Sequence, residues 1–260
     1  MHSARIAELL APYLAPCHSE SVRRTDEEPA VLSPAQLSHI STYIDLLLRW
    51  NARINLTAIR NEEEIVTRHF GESLFAARHL FPVPSSVFSP VSSVFKDFDV
   101  FPEKKISTPY DASTLHSQPE ARNSLHAADL GSGAGFPGIP LKLWAPEIHM
   151  TLIESNHKKS TFLREVVRAF TLTNIDIQSA RAESLLTTYD LVILRAVEHF
   201  TSILPVAARL TKPAGRLALL IASSQLNQAT SSLPTVIWQR PIPIPDSQSR
   251  IVLIGTNEPS

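Results

Sequence analysis

The fold of this chain is decided by residues 127–138, which read Ala127-Ala128-Asp129-Leu130-Gly131-Ser132-Gly133-Ala134-Gly135-Phe136-Pro137-Gly138. Four of the seven glycines in the chain lie within this stretch, directly after a short apolar run that is typical of a strand. Glycine lets the backbone turn sharply and approach a ligand closely, with its N–H groups directed at that ligand. We therefore expect a strand, a tight turn and a helix here, with a nucleotide-like cofactor at the turn.

The spacing of the glycines separates two classes of cofactor. In the dinucleotide fingerprint G-x-G-x-x-G, counted from Gly131, the third glycine falls at position 136, where this chain has Phe136. The pattern that is present, G-x-G-x-G after Asp129 at the strand end, resembles the S-adenosylmethionine (SAM) loop of Rossmann-like methyltransferases. A glycine-rich turn without a ligand is the alternative interpretation of a bare G-x-G.

The residues after the loop predict a second β-unit. The run 149–153 is typical of a buried strand, and Glu154 ends it 23 residues after Gly131. A carboxylate there can accept two hydrogen bonds from the vicinal diol of a ribose, in enzymes that use NAD as well as in those that use SAM. Glu154 therefore supports the fold more than it identifies the cofactor, and a solvated strand-end charge is the alternative. Lys158 and Lys159 follow at the start of a predicted helix, either as phosphate contacts or on a solvated helix face.

Strands and helices alternate to the end of the chain, which predicts an α/β fold with a doubly wound, mostly parallel sheet. The remaining predicted strands are 175–177, 190–194, 216–221, 236–238 and 250–254. Ligands of such sheets bind beyond the carboxyl ends of the strands, so Asp129, Glu154 and Arg195 are the strand-end candidates for a site. The expected architecture is that of a Rossmann-like SAM-dependent methyltransferase with an N-terminal helical extension.

Composition indicates a soluble enzyme. With 260 residues, of which 43% are hydrophobic, the chain can bury a large core without disulfides or metal ions. The single cysteine, Cys17, excludes an internal disulfide and a cysteine-based zinc site, and the ten histidines have no metal-ligand spacing, so we expect no metal. No stretch approaches ~20 apolar residues, and the N-terminus resembles a signal peptide only weakly. We therefore expect a cytoplasmic protein that does not enter a membrane.

Three regions are predicted along the chain. They are an N-terminal helical region at 1–81, a flexible insertion rich in serine and proline at 82–123, and the SAM-binding methyltransferase core at 124–260. In the first region, Ser33, Pro34 and Gln36 form a capping box that predicts the start of a helix. The insertion lacks helical periodicity and is longer than the structureless stretches that packed domains usually contain.

Basic residues concentrate in the helical region. The net charge of −1 argues against a uniformly basic coat for nucleic acid but leaves room for a local patch. Such a concentration is found within residues 49–79, at Arg49, Arg53, Arg60, Arg68, His69, Arg78 and His79. Arg68 and Glu72 are four residues apart and are expected to pair along one helix face, which is a structural alternative to a functional role for Arg68.

Four segments together resemble one enzyme family. The stretches 50–57 (W-N-A-R-I-N-L-T), 68–73 (R-H-F-G-E-S), 129–140 and 194–197 (L-R-A-V) occur in the order seen in the RsmG (GidB) family. The resemblance extends over most of residues 33–225 and implies SAM-dependent methyl transfer to ring nitrogen 7 of a guanosine in 16S ribosomal RNA. It implies 16S ribosomal RNA or the small ribosomal subunit as the partner, and we further expect a monomer.

The same resemblance assigns residues to a site. The cofactor pocket is expected to contain Asp129, Gly131, Ser132, Gly133, Gly135, Phe136, Glu154, Ala182, Glu183 and Arg195. The catalytic residues, near the methyl-transfer centre or the RNA, are expected to be Asn55, Arg68, His69 and Arg195, with Thr57 beside them. Two structural alternatives stay open: His69 as a packed, hydrogen-bonded histidine, and Arg195 as a strand-end arginine that pairs with Glu198 or another surface acid.

Three positions depart from the family pattern. Glu72 stands where the family usually has aspartate, Leu194 where many members have serine, and Ile221 or Ala222 where the family has a lysine at the end of the fifth strand. Two other functions therefore stay open. A nicotinamide-dependent oxidoreductase is disfavoured by Phe136 and by the lack of a Tyr-x-x-x-Lys pattern. A noncatalytic RNA-binding module, which the missing lysine allows, is disfavoured by the intact glycine loop and the acid after the second strand.

Overall fold

The computed structural model describes residues 1–15, 31–81, 124–195 and 200–258. The predicted insertion at 82–123 lies outside these residues, as do Cys17 and Glu198. The described helices are α1 (Ser3–Leu14), α2 (Pro34–Asn51), α3 (Glu62–Glu64), α4 (Glu72–Leu80), α5 (Gly138–Trp144), α6 (His157–Ala169), α7 (Phe200–Leu210) and α8 (Leu226–Ser232). The described strands are β1 (His126–Leu130), β2 (His149–Ile153), β3 (Ile175–Gln178), β4 (Tyr189–Arg195), β5 (Thr211–Ala222), β6 (Val236–Trp238), β7 (Ile242–Pro243) and β8 (Arg250–Asn257).

Helix α2 begins with the predicted capping box. Ser33 Oγ accepts a hydrogen bond from Gln36 N at 3.2 Å, and Gln36 Oε1 accepts one from Ser33 N at 2.8 Å. These bonds satisfy two N–H groups that have no partner within the helix, and Pro34 supplies a suitable φ at the first helical position. On the apolar stripe of α2, Tyr43 and Leu47 are fully buried, so the helix is held by packing as well as by its cap.

A π-helix, Ile65–Gly71, lies between α3 and α4 and joins them into one continuous helical run. Asn61 caps the start of this run, because its Oδ1 accepts from Glu64 N at 3.0 Å. The apolar residues of this stretch predict a helix but do not distinguish the π form, in which each N–H reaches the fifth residue before it. The Glu72 N–H accordingly donates to Thr67 O.

The strands form one sheet in the order β3-β2-β1-β4-β5-β8-β6, and β7 pairs with β8 beside this path. Neighbouring strands from β3 to β5 run parallel, whereas β8 runs antiparallel to β5, β6 and β7. The predicted doubly wound, mostly parallel sheet is confirmed. The predicted strands at 149–153 and 236–238 have the observed bounds, while β5 begins at Thr211 rather than at 216. The strand order reverses between β1 and β4, where ligands of such sheets bind.

Helices cover both faces of the sheet and form a separate core on each face. Successive residues of β1, Ala127 and Ala128, belong to different cores because neighbouring side chains of a strand point to opposite faces. Helices α1, α2, α4, α5 and α6 contribute to the first core, and α7 and α8 contribute to the second. Tyr43 of α2 stacks on Phe136 with 5.3 Å between the ring centroids, so the N-terminal helices share a core with the sheet. The division at 81 and 124 stays a prediction.

Two negative findings apply to the part of the chain that the structure describes. None of its helices combines the length and the apolar character that crossing a bilayer requires. Within the same residues, no group of three histidine, cysteine, aspartate or glutamate side chains is arranged to hold a metal ion.

Candidate active site

A cavity of about 1120 Å³ opens at the carboxyl ends of the parallel strands, where the strand order reverses. The predicted site residues that line it are Thr57, Arg68, His69, Gly131, Ser132, Gly133, Phe136, Glu154, Ala182, Glu183 and Arg195. They come from the turn before α3, the π-helix, the loop after β1, the segments that follow β2 and β3, and the last residue of β4. Asn55, Asp129 and Gly135 are not among the described lining residues.

The glycines of the loop are required for different reasons. Gly133 and Gly135 have φ values of +56° and +83°, in the left-handed region that other residues rarely adopt. At Gly135 a Cβ atom would also meet Tyr43 Oη and would lie 2.7 Å from Ile139 Cδ1. At Gly133 the nearest atom, Gly131 O, would be 3.7 Å away. Gly135 therefore lets the loop pack on α2, whereas Gly133 leaves room on the side of the cavity.

The N–H groups of the loop glycines donate to the protein, so the prediction that these N–H groups are directed at a ligand is wrong. Hydrogen bonds to acceptors of the protein are donated by the N–H groups of Gly131, Ser132, Gly133, Gly135 and Phe136. These acceptors are the carbonyls of Ile153 and Ser132 and the carboxylate of Glu154. The turn is therefore held by its own hydrogen bonds, and glycine provides space for a ligand rather than donors.

Asp129 lies beneath the loop. Its Oδ2 accepts from Gly138 N at 3.0 Å, at the start of α5, while its Oδ1 is buried without a hydrogen-bond partner among the described residues. Burial, only partly opposed by the hydrogen bond from Gly138, raises the pKa of this carboxyl to about 7. A buried acceptor without a partner is unfavourable, and Asp129 is not among the described residues that line the cavity.

Glu154 fixes the loop and also lines the cavity. Its Oε2 accepts from Gly133 N at 2.9 Å, and its Oε1 accepts from Asn156 N at 2.7 Å. The residue is buried, yet part of it faces the cavity. An ionised carboxylate has about four lone-pair sites, so these two bonds leave it able to accept others from a ligand.

The ring of His69 is held at both nitrogens. Its Nδ1 lies 3.1 Å from Arg195 Nη1, and Nδ1 is the acceptor because a guanidinium can only donate. Nε2 therefore carries the proton and donates to Thr57 Oγ1 at 2.8 Å. The ring stacks on Phe136 at 4.6 Å between centroids. Burial, reinforced by Arg195 and Arg68, lowers the pKa of His69 to about 3, so the imidazole is neutral at physiological pH.

The buried carboxylate of Glu72 forms salt bridges with three arginines at the edge of the cavity. The distances to its oxygens are 3.1 Å from Arg195 Nη2, 3.2 Å from Arg68 Nε and 2.7 Å from Arg250 Nη1. The predicted pair of Arg68 and Glu72 is thereby confirmed. Arg195 does pair with an acid, but this acid is buried rather than on the surface. Burial raises the pKa of Glu72, and Arg195 and Arg68 oppose that effect.

Sequence reasoning misses Arg250 as a site residue. Arg250 is the first residue of β8 and pairs with Ala222, the last residue of β5. An antiparallel strand begins at the edge where its parallel neighbours end, so Arg250 is placed at the site by the direction of β8, for which the sequence has no local signal. Ile221 and Ala222, the two candidates for the position where the family pattern has a lysine, also line the cavity.

Asn55 lies in a second, smaller cavity of about 260 Å³, together with Arg53 and Lys158. The asparagine of the same motif that makes structural hydrogen bonds is Asn51. Its Nδ2 donates to Thr57 O at 2.9 Å, and its Oδ1 accepts from Thr57 N at 3.1 Å. The motif therefore uses its first asparagine to shape the turn and presents its second one on the surface.

Comparison with known proteins identifies the family. The family model "GidB: rRNA small subunit methyltransferase G" matches residues 36–84 and 110–238. The chain belongs to this family. A relative named "Ribosomal RNA small subunit methyltransferase G" from Bacillus pumilus (strain SAFR-032) is 30% identical over 88% of this chain and 86% of its own length. One of the same name from Xylella fastidiosa (strain 9a5c) is 36% identical over 67% of this chain and 64% of its own length.

Solved structures of methyltransferases are similar over about half of the chain. The ribosomal protein L11 methylase of Lactobacillus delbrueckii subsp. bulgaricus has a TM-score of 0.46 and 16% identity, over 54% of this chain and 72% of that one. The precorrin-6y C5,15-methyltransferase of Geobacter metallireducens GS-15 has a TM-score of 0.42 and 17% identity, over 52% of this chain and 80% of that one.

Membership of the rRNA small subunit methyltransferase G family confirms the prediction of the cofactor, which is SAM. The residues at the ends of β1 and β2 fit this ligand. Gly133 leaves room beside the loop, and the carboxylates of Glu154 and Glu183 line the cavity, where hydroxyl and cationic groups of SAM need acceptors. Because the chain belongs to a methyltransferase family, it is not interpreted as a nicotinamide-dependent oxidoreductase.

Proposed function

We propose that this protein transfers the methyl group of SAM to ring nitrogen 7 of a guanosine in 16S ribosomal RNA. The names of the relatives support the class of substrate, since each is a ribosomal RNA small subunit methyltransferase. The choice of nitrogen 7 comes from the resemblance to the RsmG (GidB) family. We infer further that the protein acts in the cytoplasm, as a monomer, on 16S ribosomal RNA or the assembled small subunit.

The proposal rests mainly on the hydrogen bonding and the protonation of His69. This is the only histidine among the described residues that line the cavity. Both of its ring nitrogens are engaged, by Arg195 and by Thr57, and its low pKa keeps it from taking up a proton. Nitrogen 7 of guanine has a lone pair and no proton, so its methylation needs no general base. Aligning the two reactants can supply ~7–11 kcal/mol of the barrier, and a rigid cavity wall suits this task.

The cofactor-binding role is assigned to the loop after β1 and the ends of β2 and β3. The residues are Asp129, Gly131, Ser132, Gly133, Gly135, Phe136, Glu154, Ala182 and Glu183, with Arg195 at the border to the substrate. Bound SAM supplies an electrophilic methyl group on a positively charged sulfur. Glu154 orients the ligand, because its carboxylate is fixed by Gly133 N and Asn156 N and still has free lone pairs.

The substrate side of the cavity is assigned to Arg68, His69 and Arg195, with Asn55 at its border. The Arg195 side chain is only 9% exposed and is held by Glu72 and His69, so we assign it a positioning role. The Arg68 side chain is 41% exposed and can contact a phosphate of the RNA. His69 does not transfer a proton to the substrate, and its fixed ring forms part of the cavity wall.

The proposal is tested by incubating the protein with labelled SAM and unmodified 16S ribosomal RNA, followed by nucleoside analysis. We expect label in 7-methylguanosine. Arg195→Ala and Arg195→Lys should each lower the rate at least tenfold, because a small misplacement of the reactants can cost about 100-fold. SAM affinity should change much less, and Arg240→Ala, at an exposed position, serves as the control. Label in protein, in small metabolites or on another guanine atom would refute the assignment.

A further inference from the structure

The smaller cavity, which we call the side cavity, opens next to the active site. It has a volume of about 260 Å³ and is lined by Arg53, Ile54, Asn55, Asn156, Lys158 and Lys159. Two of these residues, Asn156 and Lys159, line the main cavity as well. The side cavity is therefore adjacent to the place where the proposed reaction occurs, on the side of the glycine loop and α6.

The charge of the side cavity is positive. Arg53 comes from the turn after α2, whereas Lys158 and Lys159 come from the first turn of α6, so two distant segments direct their cations to one place. Within the described ranges of the chain, none of these three side chains forms an ion pair or a hydrogen bond. Arginines elsewhere in the site differ in this respect, since Arg195 and Arg250 are both bound to Glu72. The cations of the side cavity thus lack the internal partners that would neutralise them.

The two segments that form the side cavity, the turn after α2 and the start of α6, are held together by contacts within the protein. Trp50, at the end of α2, donates from Nε1 to Glu165 Oε2 of α6 at 3.0 Å, and its ring packs edge-on against Phe162 at 5.9 Å. On the other side, Asn51 holds the turn through its hydrogen bonds to Thr57. The two backbone segments that carry the cations are therefore held beside each other before any ligand arrives, which lowers the cost of binding.

We propose that the side cavity binds a backbone phosphate of the RNA, next to the nucleotide whose base enters the main cavity. This inference rests on the proposed function. A phosphate carries a compact negative charge with several acceptor oxygens, which Arg53 can meet with its planar fork and Lys158 with its point charge. Such contacts carry no sequence information but fix the register of the RNA, and here they would fix it relative to the methyl donor.

The experiment uses the full-length protein and in vitro transcribed 16S ribosomal RNA, whose dissociation constant is measured over a series of salt concentrations. The variants are Arg53→Ala, Lys158→Ala and the pair combined. Lys159 is left unchanged because it also lines the main cavity. The matched control is Arg168→Ala, which removes one exposed cation from the other end of α6. Affinity for SAM is measured by calorimetry with each protein.

We expect the combined variant to bind the RNA severalfold more weakly at about 0.1 M salt. The slope of log affinity against log salt should fall by about 0.7 for each phosphate that the variant no longer neutralises. SAM affinity should stay within about twofold of the parent, and Arg168→Ala should match the parent in both measurements. The charge-conserving pair Arg53→Lys and Lys158→Arg should retain most of the slope.

Two results would overturn the inference. One is a salt slope in the combined variant equal to that of the parent. The other is weaker SAM binding with an unchanged salt slope, which would mean that the side cavity serves the carboxylate of the cofactor instead. Methyl transfer by the parent is measured in the same preparations. If the parent methylates neither this RNA nor the assembled small subunit, the proposed function is contradicted. If the parent methylates the RNA and the combined variant keeps the salt slope of the parent, only the side-cavity proposal is contradicted.

Discussion

Glu72 and Arg250 lie 178 residues apart in the chain and meet at the edge of the active site, where Arg250 Nη1 lies 2.7 and 2.9 Å from the two carboxylate oxygens. Arg195 Nη2 contacts the same carboxylate at 3.1 Å. One side chain at the start of α4 therefore joins the helical region to β4 and to β8. The orientation of both arginines depends on a carboxylate that solvent scarcely reaches.

Glu72→Gln is expected to destabilise the protein by about 3 kcal/mol, because removing one member of a buried ion pair leaves its partners without compensation. Glu72→Asp keeps the charge on a shorter side chain and should cost clearly less. Glu63→Gln is the matched control, since Glu63 forms a surface pair with Arg5 at 2.8 Å, and exposed pairs contribute little to stability. Free energies of unfolding in urea provide the measurement. Equal losses for Glu72→Gln and Glu63→Gln would show that the buried carboxylate is not the organising group.

Replacing each of two loop glycines by alanine should separate backbone strain from packing. Gly133→Ala forces a left-handed φ on a residue with a side chain and should cost about 1–2 kcal/mol. Gly135→Ala adds the collision with Tyr43 and Ile139, and overpacking of this kind costs about 1–3 kcal/mol more. Urea unfolding of the two variants compares them directly. A Gly133→Ala protein as unstable as Gly135→Ala would contradict the different roles assigned to these glycines.

Glu154→Ala should weaken the binding of SAM by about 1–3 kcal/mol, because it removes a ligand acceptor and also the acceptor of Gly133 N. The fold is expected to persist, since the other hydrogen bonds of the loop are unaffected. Glu154→Gln should fall between the parent and Glu154→Ala, because one oxygen acceptor remains. Calorimetry with SAM measures the effect, with the exposed Glu147→Ala as the control. An unchanged affinity in Glu154→Ala would remove this residue from the site.

Asp129 should make the stability of the protein depend on pH. Its pKa rises from 3.8 to about 7 on folding, so the folded state binds more protons than the unfolded state between these two values. The corresponding stability is fully present below pH 3.8 and is lost as the pH rises through 7. At about 1.4 kcal/mol for each pKa unit, the whole effect is about 4 kcal/mol.

Asp129→Asn removes this dependence, so the parent should lose stability relative to the variant as the pH increases from 5 to 8. Taking the difference between the two proteins cancels the contribution of His69, which has the opposite sign because its pKa falls on folding. Urea unfolding at a series of pH values gives the difference, and Asp45→Asn, at an exposed position, is the control. A difference that stays constant across this range would show that the carboxyl is not perturbed by burial.

Local signals predict the fold and the cofactor side of the site. The glycines at 131, 133 and 135 follow a buried strand directly, and Glu154 follows the next strand, so the sequence alone brings them to one edge of a parallel sheet. The capping box at Ser33 likewise depends on residues three positions apart. Each of these signals lies within a few residues of the feature that it predicts, which is why sequence reasoning finds them.

The remaining features depend on pairing between distant segments. Arg250 reaches the site only because β8 runs antiparallel to β5, and the sequence of neither strand predicts this direction. The N–H groups of Gly131, Ser132 and Gly133 are occupied because Ile153 and Glu154 lie beside them, which follows from the pairing of β1 with β2. Asn55, although part of a specific motif, lines the side cavity instead of the main one.

In the π-helix, the Glu72 N–H donates to Thr67 O, so the carbonyl of Arg68 does not receive the hydrogen bond that an α-helix would give it, and it accepts from Arg195 Nη2 at 2.5 Å instead. Deleting one residue within 65–71 would restore α-helical bonding. The side chains before the deletion would then rotate by about 100° relative to those after it. Single-residue deletions here should therefore be more damaging than most substitutions, because the number of residues in this turn sets the register of the active site.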